Sequence, residues 1–329
     1  MEKFTVLIES RPFCAFDNTP LEQLEGSGMD LVDMRGSGVQ DPKFVKALNQ
    51  VDAILCGNDL VVNDAVLDMA PRVKVIAKMG AGLDTVDIAA ATRHNAIVFH
   101  TPGANNQAVA DHTFGLILNV ATKINYCDRS QRENRWEHTK IMGHEIWQKT
   151  LGLIGLGAIV RCVALRAKGF QMRVVGYDPF WPTEFAHEQG IEQLEIEQLL
   201  KVSDIVSLHV PLIPETKWII NEKTLGLMKP SAILINAARG GIVNETDLCK
   251  ALKNKVIAGA GLDVFENEPP TDSELLELDN VVLTPHTAAF TFEGMNNMSV
   301  GVVEQLIAYY HGNKPVHTVN PEVWDAQKA

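Results

Sequence analysis

The sequence predicts an α/β fold made of two domains, each with a parallel sheet covered by helices. Its 329 residues exceed the usual size of one compact core, so two domains are the first expectation. Short apolar runs alternate with amphipathic stretches over most of the chain, which is the pattern of helices packed on both faces of a parallel sheet. Both domains should therefore belong to the α/β class.

The N-terminal part of the chain predicts the smaller of the two sheets. Strands are expected at residues 5–9, 53–56, 73–77 and 97–100, and helices at residues 42–48, 63–69 and 86–94. Thr101-Pro102-Gly103 interrupts this series, and Asn105 precedes a long helical stretch, residues 108–122, that is apolar enough to be buried. We expect a domain boundary at this point.

A second series of strands begins at Thr150. Strands are expected at residues 151–154, 174–177, 205–208, 232–236, 258–263 and 281–284, and six parallel strands suit a doubly wound dinucleotide-binding sheet. After His286 the pattern predicts one helix, residues 294–310, and an irregular tail, residues 311–329. We expect that helix to return to the first domain, so residues 1–103 and 291–329 form one domain and residues 104–290 the other.

Composition argues against several classes of partner. The formal net charge of −12 repels polyanions, and no concentrated basic patch offsets it, so we expect no nucleic-acid partner. No stretch is apolar for long enough to cross a bilayer, and the first residues read as a strand and not as a signal peptide. We therefore expect no membrane association and a cytoplasmic location. The five cysteines lie far apart without a C-x-x-C pair, so neither a disulfide framework nor a metal site is predicted.

The segment after strand 151–154 predicts a dinucleotide site. Gly155 permits a tight turn, and Gly157 lets the backbone approach a pyrophosphate at the start of helix 161–168. Val160 stands where the pattern has its third glycine, and its branched side chain should push the helix slightly from the strand. Asp178 ends the next strand, where a carboxylate accepts both ribose hydroxyls. No basic residue directly follows Asp178, so NAD is favoured over NADP.

Three polar side chains follow the carboxyl ends of predicted strands, where open parallel sheets bind ligands. His286 has the pKa of a proton donor for a ketone that accepts a hydride. Glu268 would stabilise and orient its imidazolium form. Arg239 would hold a carboxylate and polarise the adjacent keto oxygen. The substrate should therefore carry a carboxylate next to the reacting carbon.

Motifs over nearly the whole chain resemble one family, the D-isomer-specific 2-hydroxyacid dehydrogenases, and their order most resembles its D-3-phosphoglycerate dehydrogenase branch. The segments that carry this resemblance are Gly80-Ala81-Gly82, Thr101-Pro102-Gly103-Ala104-Asn105, Gly152-Leu153-Ile154-Gly155-Leu156-Gly157, His209-Val210-Pro211-Leu212, Pro214-Glu215-Thr216, Met228-Lys229-Pro230, Ile235-Asn236-Ala237-Ala238-Arg239-Gly240-Gly241, Leu262-Asp263-Val264-Phe265, Glu268-Pro269 and Thr284-Pro285-His286.

The resemblance implies a fold, a cofactor and a set of contacts. It implies a Rossmann NAD-binding domain, a flavodoxin-like substrate domain that is discontinuous in sequence, and a homodimer joined through the cofactor domains. Arg239, Glu268 and His286 would be catalytic. The loop at residues 78–82 would hold the substrate carboxylate through backbone N–H groups, which makes Met79, Gly80, Ala81, Gly82 and Arg239 the substrate-binding residues. Contacts to NAD would come from Gly155, Gly157, Ala158, Ile159, Asp178, Val210, Pro211, Thr216, Ala237, Ala238, Arg239, Asp263, His286 and Ala288.

The substrate is left open among small 2-keto or 2-hydroxy acids. 3-Phosphoglycerate is one candidate, and the alternative is glyoxylate, hydroxypyruvate or another unphosphorylated acid. Phosphoglycerate dehydrogenases usually carry an arginine after the strand that here ends at Cys56, whereas this chain has Gly57-Asn58-Asp59, so a phosphate would lose a bidentate cation. An alternative of another class is a protein that senses NAD(H) and acts through partners; the presence of all three catalytic residue types argues against it.

Overall fold

The computed structural model describes residues 3–139 and 141–328. It divides into two compact units: unit 1 comprises Met1–Asn105 and Phe290–Ala329, and unit 2 comprises Asn106–Ala289. The elements up to the end of the first segment of unit 1 are β1 (Thr5–Ile8), α1 (Thr19–Gly26), β2 (Asp30–Asp33), α2 (Pro42–Leu48), β3 (Ala53–Cys56), α3 (Asp64–Asp68), β4 (Val75–Lys78), α4 (Ile88–Arg93) and β5 (Ile97–Phe99).

Unit 2 contains the next elements along the chain. They are α5 (Asn106–Thr122), α6 (Ile124–Arg132), β6 (Thr150–Ile154), α7 (Ala158–Gly169), β7 (Arg173–Tyr177), α8 (Thr183–Gln189), β8 (Glu192–Gln193), α9 (Ile196–Val202), β9 (Ile205–Leu208), α10 (Glu222–Leu225), β10 (Ile233–Asn236), α11 (Glu245–Lys253), β11 (Gly259–Leu262), a 3₁₀ helix (Glu274–Glu277) and β12 (Val281–Leu283). The last two helices, α12 (Phe292–Tyr310) and α13 (Pro321–Lys328), belong to unit 1.

Unit 1 has a five-stranded parallel sheet in the order β2-β1-β3-β4-β5. This is the flavodoxin-like order, and it confirms the predicted fold of the smaller sheet. Every residue of β3, β4 and β5 is buried, which explains why these strands read as continuous apolar runs. The parallel register brings the loops after neighbouring strands to the same edge of the sheet.

Unit 2 has a seven-stranded parallel sheet in the order β12-β11-β10-β9-β6-β7-β8. The first strand, β6, lies between β7 and β9, so the chain winds away from it in both directions, and β6 and β9 form the topological switch point of a doubly wound fold. The prediction of six strands was short by one, because β8 has two residues, both exposed.

The structure corrects the prediction at two further places in unit 1. The tail was expected to be irregular, but Pro321–Lys328 is a helix, which begins at a proline, a residue favoured in a first helical turn. The sequence also gave no prediction for α1 and β2, which lie between the first two predicted elements.

The described residues also bear on partners and metals. All five cysteines are free thiols. Among the described residues, no cluster of histidine, cysteine and carboxylate side chains could hold a metal ion, and no helix there is long and apolar enough to span a bilayer.

Candidate active site

The turn after β6 is shaped by close contact with the loop after β9. Gly155 has φ +90°, and a Cβ on it would lie 2.6 Å from the carbonyl oxygen of His209. A side chain is therefore excluded by both conformation and space. The position of Gly155 at the switch point is where open α/β sheets bind their ligands.

Helix α7 begins directly after this turn, and its N-terminus is open. Gly157 is the N-cap residue and gives no side-chain cap, so the first N–H groups, which include those of Ala158 and Ile159, lack an intrahelical acceptor. A Cβ on Gly157 would meet nothing within 4 Å. These features fit a pyrophosphate, which needs backbone N–H donors and unobstructed space. Val160 is fully buried; its effect on cofactor affinity stays a prediction.

Asp178 follows β7 and closes the same site. Its two carboxylate oxygens accept the N–H groups of Leu156 and Phe180, each at 2.7 Å. These bonds fix the carboxylate beside the glycine turn while each oxygen keeps a lone pair for a ribose hydroxyl. The residues present therefore fit NAD.

The remaining predicted cofactor residues lie in loops after the strands of unit 2. Thr216 closes the loop after β9, since its hydroxyl donates to Pro211 O at 2.5 Å and accepts from Ile213 N at 2.9 Å. The other members of this group are Val210 and Pro211 in the same loop, Ala237 and Ala238 after β10, Asp263 after β11, and Ala288 after β12.

His286 and Glu268 form a direct pair. The distance from His286 Nδ1 to Glu268 Oε2 is 2.7 Å, and both side chains are a little over a third exposed, at 39% and 38%. The other Glu268 oxygen accepts the N–H of Phe265 at 3.0 Å. Because Nδ1 is bound to the carboxylate, Nε2 is the ring nitrogen left for a substrate.

The pair shifts both pKa values in the direction that favours the ion pair. The hydrogen bond from Glu268 raises the pKa of His286, and this outweighs the lowering effects of burial and of the Arg239 charge. Burial raises the pKa of Glu268, but its hydrogen bonds with His286 and with the Phe265 N–H outweigh burial, so that the pKa lies below its usual value. The imidazolium form therefore persists to higher pH than in an isolated histidine.

Arg239 lies in a tight turn after β10. The Asn236 side chain, which is 1% exposed, accepts Ala238 N–H at 3.1 Å and donates to Arg239 O at 2.9 Å. The Arg239 guanidinium donates to Ala238 O at 2.6 Å. Its charge acts on His286, so unit 2 brings Arg239, Glu268 and His286 together.

Asp263 anchors the loop that carries His286. It is 0% exposed, and its carboxylate accepts the Thr284 hydroxyl at 2.6 Å and the N–H groups of Thr287 and Ala288 at 2.8 and 2.9 Å. Its carbonyl accepts the N–H of His286 at 2.8 Å. The Asp263 carboxylate holds this loop, and its predicted contact with the cofactor stays a prediction.

Sequence reasoning missed His112, which lies in the middle of α5. Its Nε2 is 2.9 Å from the Thr284 hydroxyl and 3.4 Å from Asp263 Oδ1. The available signal was a histidine within a helix otherwise apolar enough to be buried.

The predicted substrate loop, considered within unit 1, offers fewer N–H groups than expected. The N–H of Met79 donates to Cys56 O at 3.0 Å, and that of Gly80 donates to the Thr101 hydroxyl at 2.9 Å. Two of the four predicted residues are therefore already engaged, which corrects the expectation that the whole loop presents its backbone.

Ala81 and Gly82 retain this capacity. The carbonyl of Ala81 is bound by His100 Nδ1 at 2.9 Å, while the N–H groups of Ala81 and Gly82 have no acceptor within residues 3–139 and 141–328. Two adjacent N–H donors remain for a carboxylate.

Similarity to known proteins identifies the family of this chain. The family described as "D-isomer specific 2-hydroxyacid dehydrogenase, NAD binding domain" matches residues 114–288. The chain is 41% identical to a glyoxylate reductase of Pyrococcus furiosus over 293 residues, which cover 87% of each chain. The chain belongs to the D-isomer-specific 2-hydroxyacid dehydrogenases. This result confirms the family, the fold and the NAD cofactor expected from the motifs.

Two more relatives show the range within this dehydrogenase family. A D-3-phosphoglycerate dehydrogenase of Methanocaldococcus jannaschii is 39% identical over 285 residues, which cover 86% of this chain but 54% of that protein, so this chain spans about half of its length. The solved structure of a D-lactate dehydrogenase from Aquifex aeolicus, complexed with NAD and lactic acid, matches with a TM-score of 0.83 and 30% identity over 94% of this chain and 96% of that one. As a family member, the chain is an NAD-dependent oxidoreductase that acts on CH–OH groups.

Proposed function

We propose that this dehydrogenase interconverts a small, unphosphorylated 2-keto acid and its D-2-hydroxy acid, with Arg239, Glu268 and His286 as its catalytic residues. Bound NAD⁺ would accept the hydride in oxidation, and bound NADH would supply it in reduction. The observation that carries the catalytic part is the 2.7 Å contact between His286 Nδ1 and Glu268 Oε2, which leaves Nε2 of the same ring for the substrate oxygen.

His286 moves the proton in this proposal. In reduction, Nε2–H donates to the keto oxygen as negative charge develops there, and in oxidation neutral Nε2 accepts the hydroxyl proton. Glu268 stabilises the imidazolium before donation, because its pairing with His286 raises the pKa of the imidazole. The ring therefore stays protonated, and able to act as an acid, to higher pH than an unpaired histidine.

Arg239 recognises the substrate carboxylate. A guanidinium offers paired donors to a carboxylate and stabilises charge on the neighbouring oxygen. The N–H groups of Ala81 and Gly82 are the donors that unit 1 offers to a carboxylate. A guanidinium beside His286 selects acids whose carboxylate is adjacent to the reacting carbon.

The loop after β3 supports an unphosphorylated substrate. Because β3 and β4 are parallel neighbours, this loop adjoins the one that contains Ala81. It carries Asn58 and Asp59, both exposed, and the nearby Lys78 is 1% exposed. The Lys78 ammonium is turned inward, onto the carbonyl of Gly57 and onto Asn58 Oδ1, the latter at 2.6 Å. A phosphate would meet the Asp59 carboxylate at this edge, which is unfavourable.

Steady-state oxidation of NADH tests the substrate class. Glyoxylate, hydroxypyruvate and pyruvate should include an acid with kcat/KM at least about tenfold above that of 3-phosphohydroxypyruvate, the size expected from one unfavourable charge contact. Asp59→Asn should narrow this gap, whereas Asp272→Asn, which removes an exposed carboxylate from unit 2, should leave it unchanged. Equal or faster turnover of the phosphorylated acid would overturn the proposal.

The phosphorylated substrate is the second candidate because of one comparison. The chain shares 39% identity with a protein named D-3-phosphoglycerate dehydrogenase, close to the 41% it shares with a glyoxylate reductase. The same panel of acids distinguishes the two.

A further inference from the structure

We infer that His112 is a positioning residue for the reaction: through Thr284 and Asp263 it holds the loop that presents His286. This inference rests on the proposed role of His286. His112 belongs to α5 and touches neither Glu268 nor His286 in the hydrogen-bond pattern of the described residues. Its effect must therefore pass through the residues between them.

The direction of the hydrogen bonds follows from the distances. The Thr284 hydroxyl has one proton, and its shortest contact is Asp263 Oδ1 at 2.6 Å, compared with 3.5 Å to Leu262 O. A carboxylate can only accept, so Thr284 donates to Asp263. His112 Nε2, 2.9 Å from the same hydroxyl, must then carry the proton that Thr284 accepts. The order of donors is His112, Thr284, Asp263.

The end of this chain of bonds encloses His286. The Asp263 carbonyl accepts the N–H of His286 at 2.8 Å, and its carboxylate accepts the N–H groups of the following residues, Thr287 and Ala288. His286 has φ +53°, a conformation that disfavours residues other than glycine and persists only when its surroundings hold it. Asp263 supplies these contacts on both sides of His286.

His112 determines whether Asp263 can keep this arrangement. Without the proton from His112, the Thr284 hydroxyl accepts from no other donor among residues 3–139 and 141–328, and it can turn towards Leu262 O, 3.5 Å away. Asp263 Oδ1 would then lose the hydrogen bond from the Thr284 hydroxyl at 2.6 Å and the neighbouring His112 Nε2 at 3.4 Å. Burial raises the pKa of Asp263, but hydrogen bonds from His112, Thr284 and the loop N–H groups outweigh burial and lower that pKa below its usual value. Loss of the contacts with His112 and Thr284 would therefore destabilise the buried carboxylate.

The charged groups that face His286 are Glu268, Asp263 and Arg239. The first two raise the pKa of His286, and Arg239 lowers it. A loosened loop lengthens the contact between His286 and Glu268, which is the largest of these effects. The proton donor would therefore be both misplaced and less basic.

The test is a pair of variants of the full-length chain with NADH and its best 2-keto acid. His112→Leu should lower kcat about tenfold, since small displacements of a catalytic group are costly, and should shift the alkaline limb of the kcat profile to lower pH. The KM of the acid and the Kd of NADH should change less than about twofold. His112→Gln, which keeps an N–H donor at a similar reach, should restore most of kcat.

A double-mutant cycle with Thr284→Val tests the route. If His112 acts through Thr284, the double variant is no slower than either single variant, whereas independent effects would multiply to about a hundredfold loss. Thr113→Val, a buried substitution at the next position of α5, controls for damage to the helix and should leave the pH profile in place. Multiplicative losses, or an unchanged profile in His112→Leu, would overturn the inference.

Failure of the proposed function leaves a distinct result. NMR titration of the His286 ring requires no substrate. The ring should titrate in the His112→Gln variant as it does in the parent protein, and at lower pH in the His112→Leu variant. Absence of turnover with every 2-keto acid, with this titration difference intact, would reject the proposed function and retain the positioning role. Identical titration of the parent and His112→Leu would reject the positioning role.

Discussion

At the scale of single residues, the proposed function assigns proton transfer and cofactor binding to different side chains. His286 is tied to Glu268, whereas Asp178 is tied to the glycine turn through Leu156 N–H. His286→Ala should lower kcat for reduction by about 10²–10⁴-fold, the usual contribution of a general acid, with little change in NADH affinity. Asp178→Ala should weaken NADH binding instead. Fluorescence titration of NADH and saturating kinetics measure both, and a collapse of NADH affinity in His286→Ala with kcat preserved would reverse these roles.

In the proposed mechanism, Glu268 sets the pH range in which His286 acts. The carboxylate raises the pKa of His286, and reduction requires the protonated ring. Glu268→Gln removes that effect, so the protonated fraction falls at lower pH and the alkaline limb of kcat for reduction moves to lower pH. The pH dependence of kcat, compared with that of Glu266→Gln, measures the shift. An unmoved limb would mean that Glu268 has no influence on the proton donor.

The sequence could predict part of this site because the relevant residues follow strands. Polar residues after parallel strands share one edge of the sheet, which is enough to place Arg239, Glu268 and His286 in one unit. It could not show that Met79 and Gly80 N–H groups are already bound, nor that His112 reaches Thr284. Those contacts depend on distances between elements that periodicity does not encode.

At the scale of elements, the strands whose residues are all buried were all predicted. The four residues of β9 and of β10 are all buried, and such apolar runs stand out in a sequence. The missed strand β2, Asp30–Asp33, lies at an edge with exposed acidic ends. The missed helix α13 buries only Val323. Elements that bury few side chains show little hydrophobic periodicity in the sequence.

The junction between β10 and the loop after β11 depends on one close approach. A Cβ on Gly240 would lie 1.8 Å from the carbonyl oxygen of Phe265, so Gly240→Ala must displace backbone next to Arg239. We expect it to lower the free energy of unfolding by about 3 kcal/mol, as overpacking does, and to reduce kcat. Thermal unfolding measures this.

Gly26→Ala is the matched substitution for this measurement. Gly26 ends α1 and has nothing within 4 Å of its Cβ position, so alanine should leave stability unchanged or slightly increased. Equal melting temperatures for the two variants would contradict the steric argument at Gly240.

At the scale of the whole molecule, the homodimer stays a prediction that one surface supports. The segment between α6 and β6 exposes Trp136 by 76%, Met142 by 78% and Trp147 by 48%, and exposed apolar side chains grouped in one segment often mark a protein interface. Light scattering should give twice the chain mass of 36.2 kDa. Trp136→Ser with Met142→Ser should reduce this mass, whereas Val316→Ser, at a position 83% exposed elsewhere, should not. A monomeric parent protein would refute the predicted homodimer. The cytoplasmic location also stays a prediction.

Unit 1 is assembled from two segments of the chain, one before and one after unit 2. This arrangement affects how unit 1 folds during synthesis. Helix α12 contributes Val302, Val303 and Leu306, all fully buried, to a unit whose sheet lies within the first 105 residues. On the ribosome those strands emerge before unit 2, yet part of their apolar covering is translated after it. The nascent sheet therefore waits for α12 while unit 2, continuous in sequence, already has all of its strands, and the interval is when chaperones are most needed.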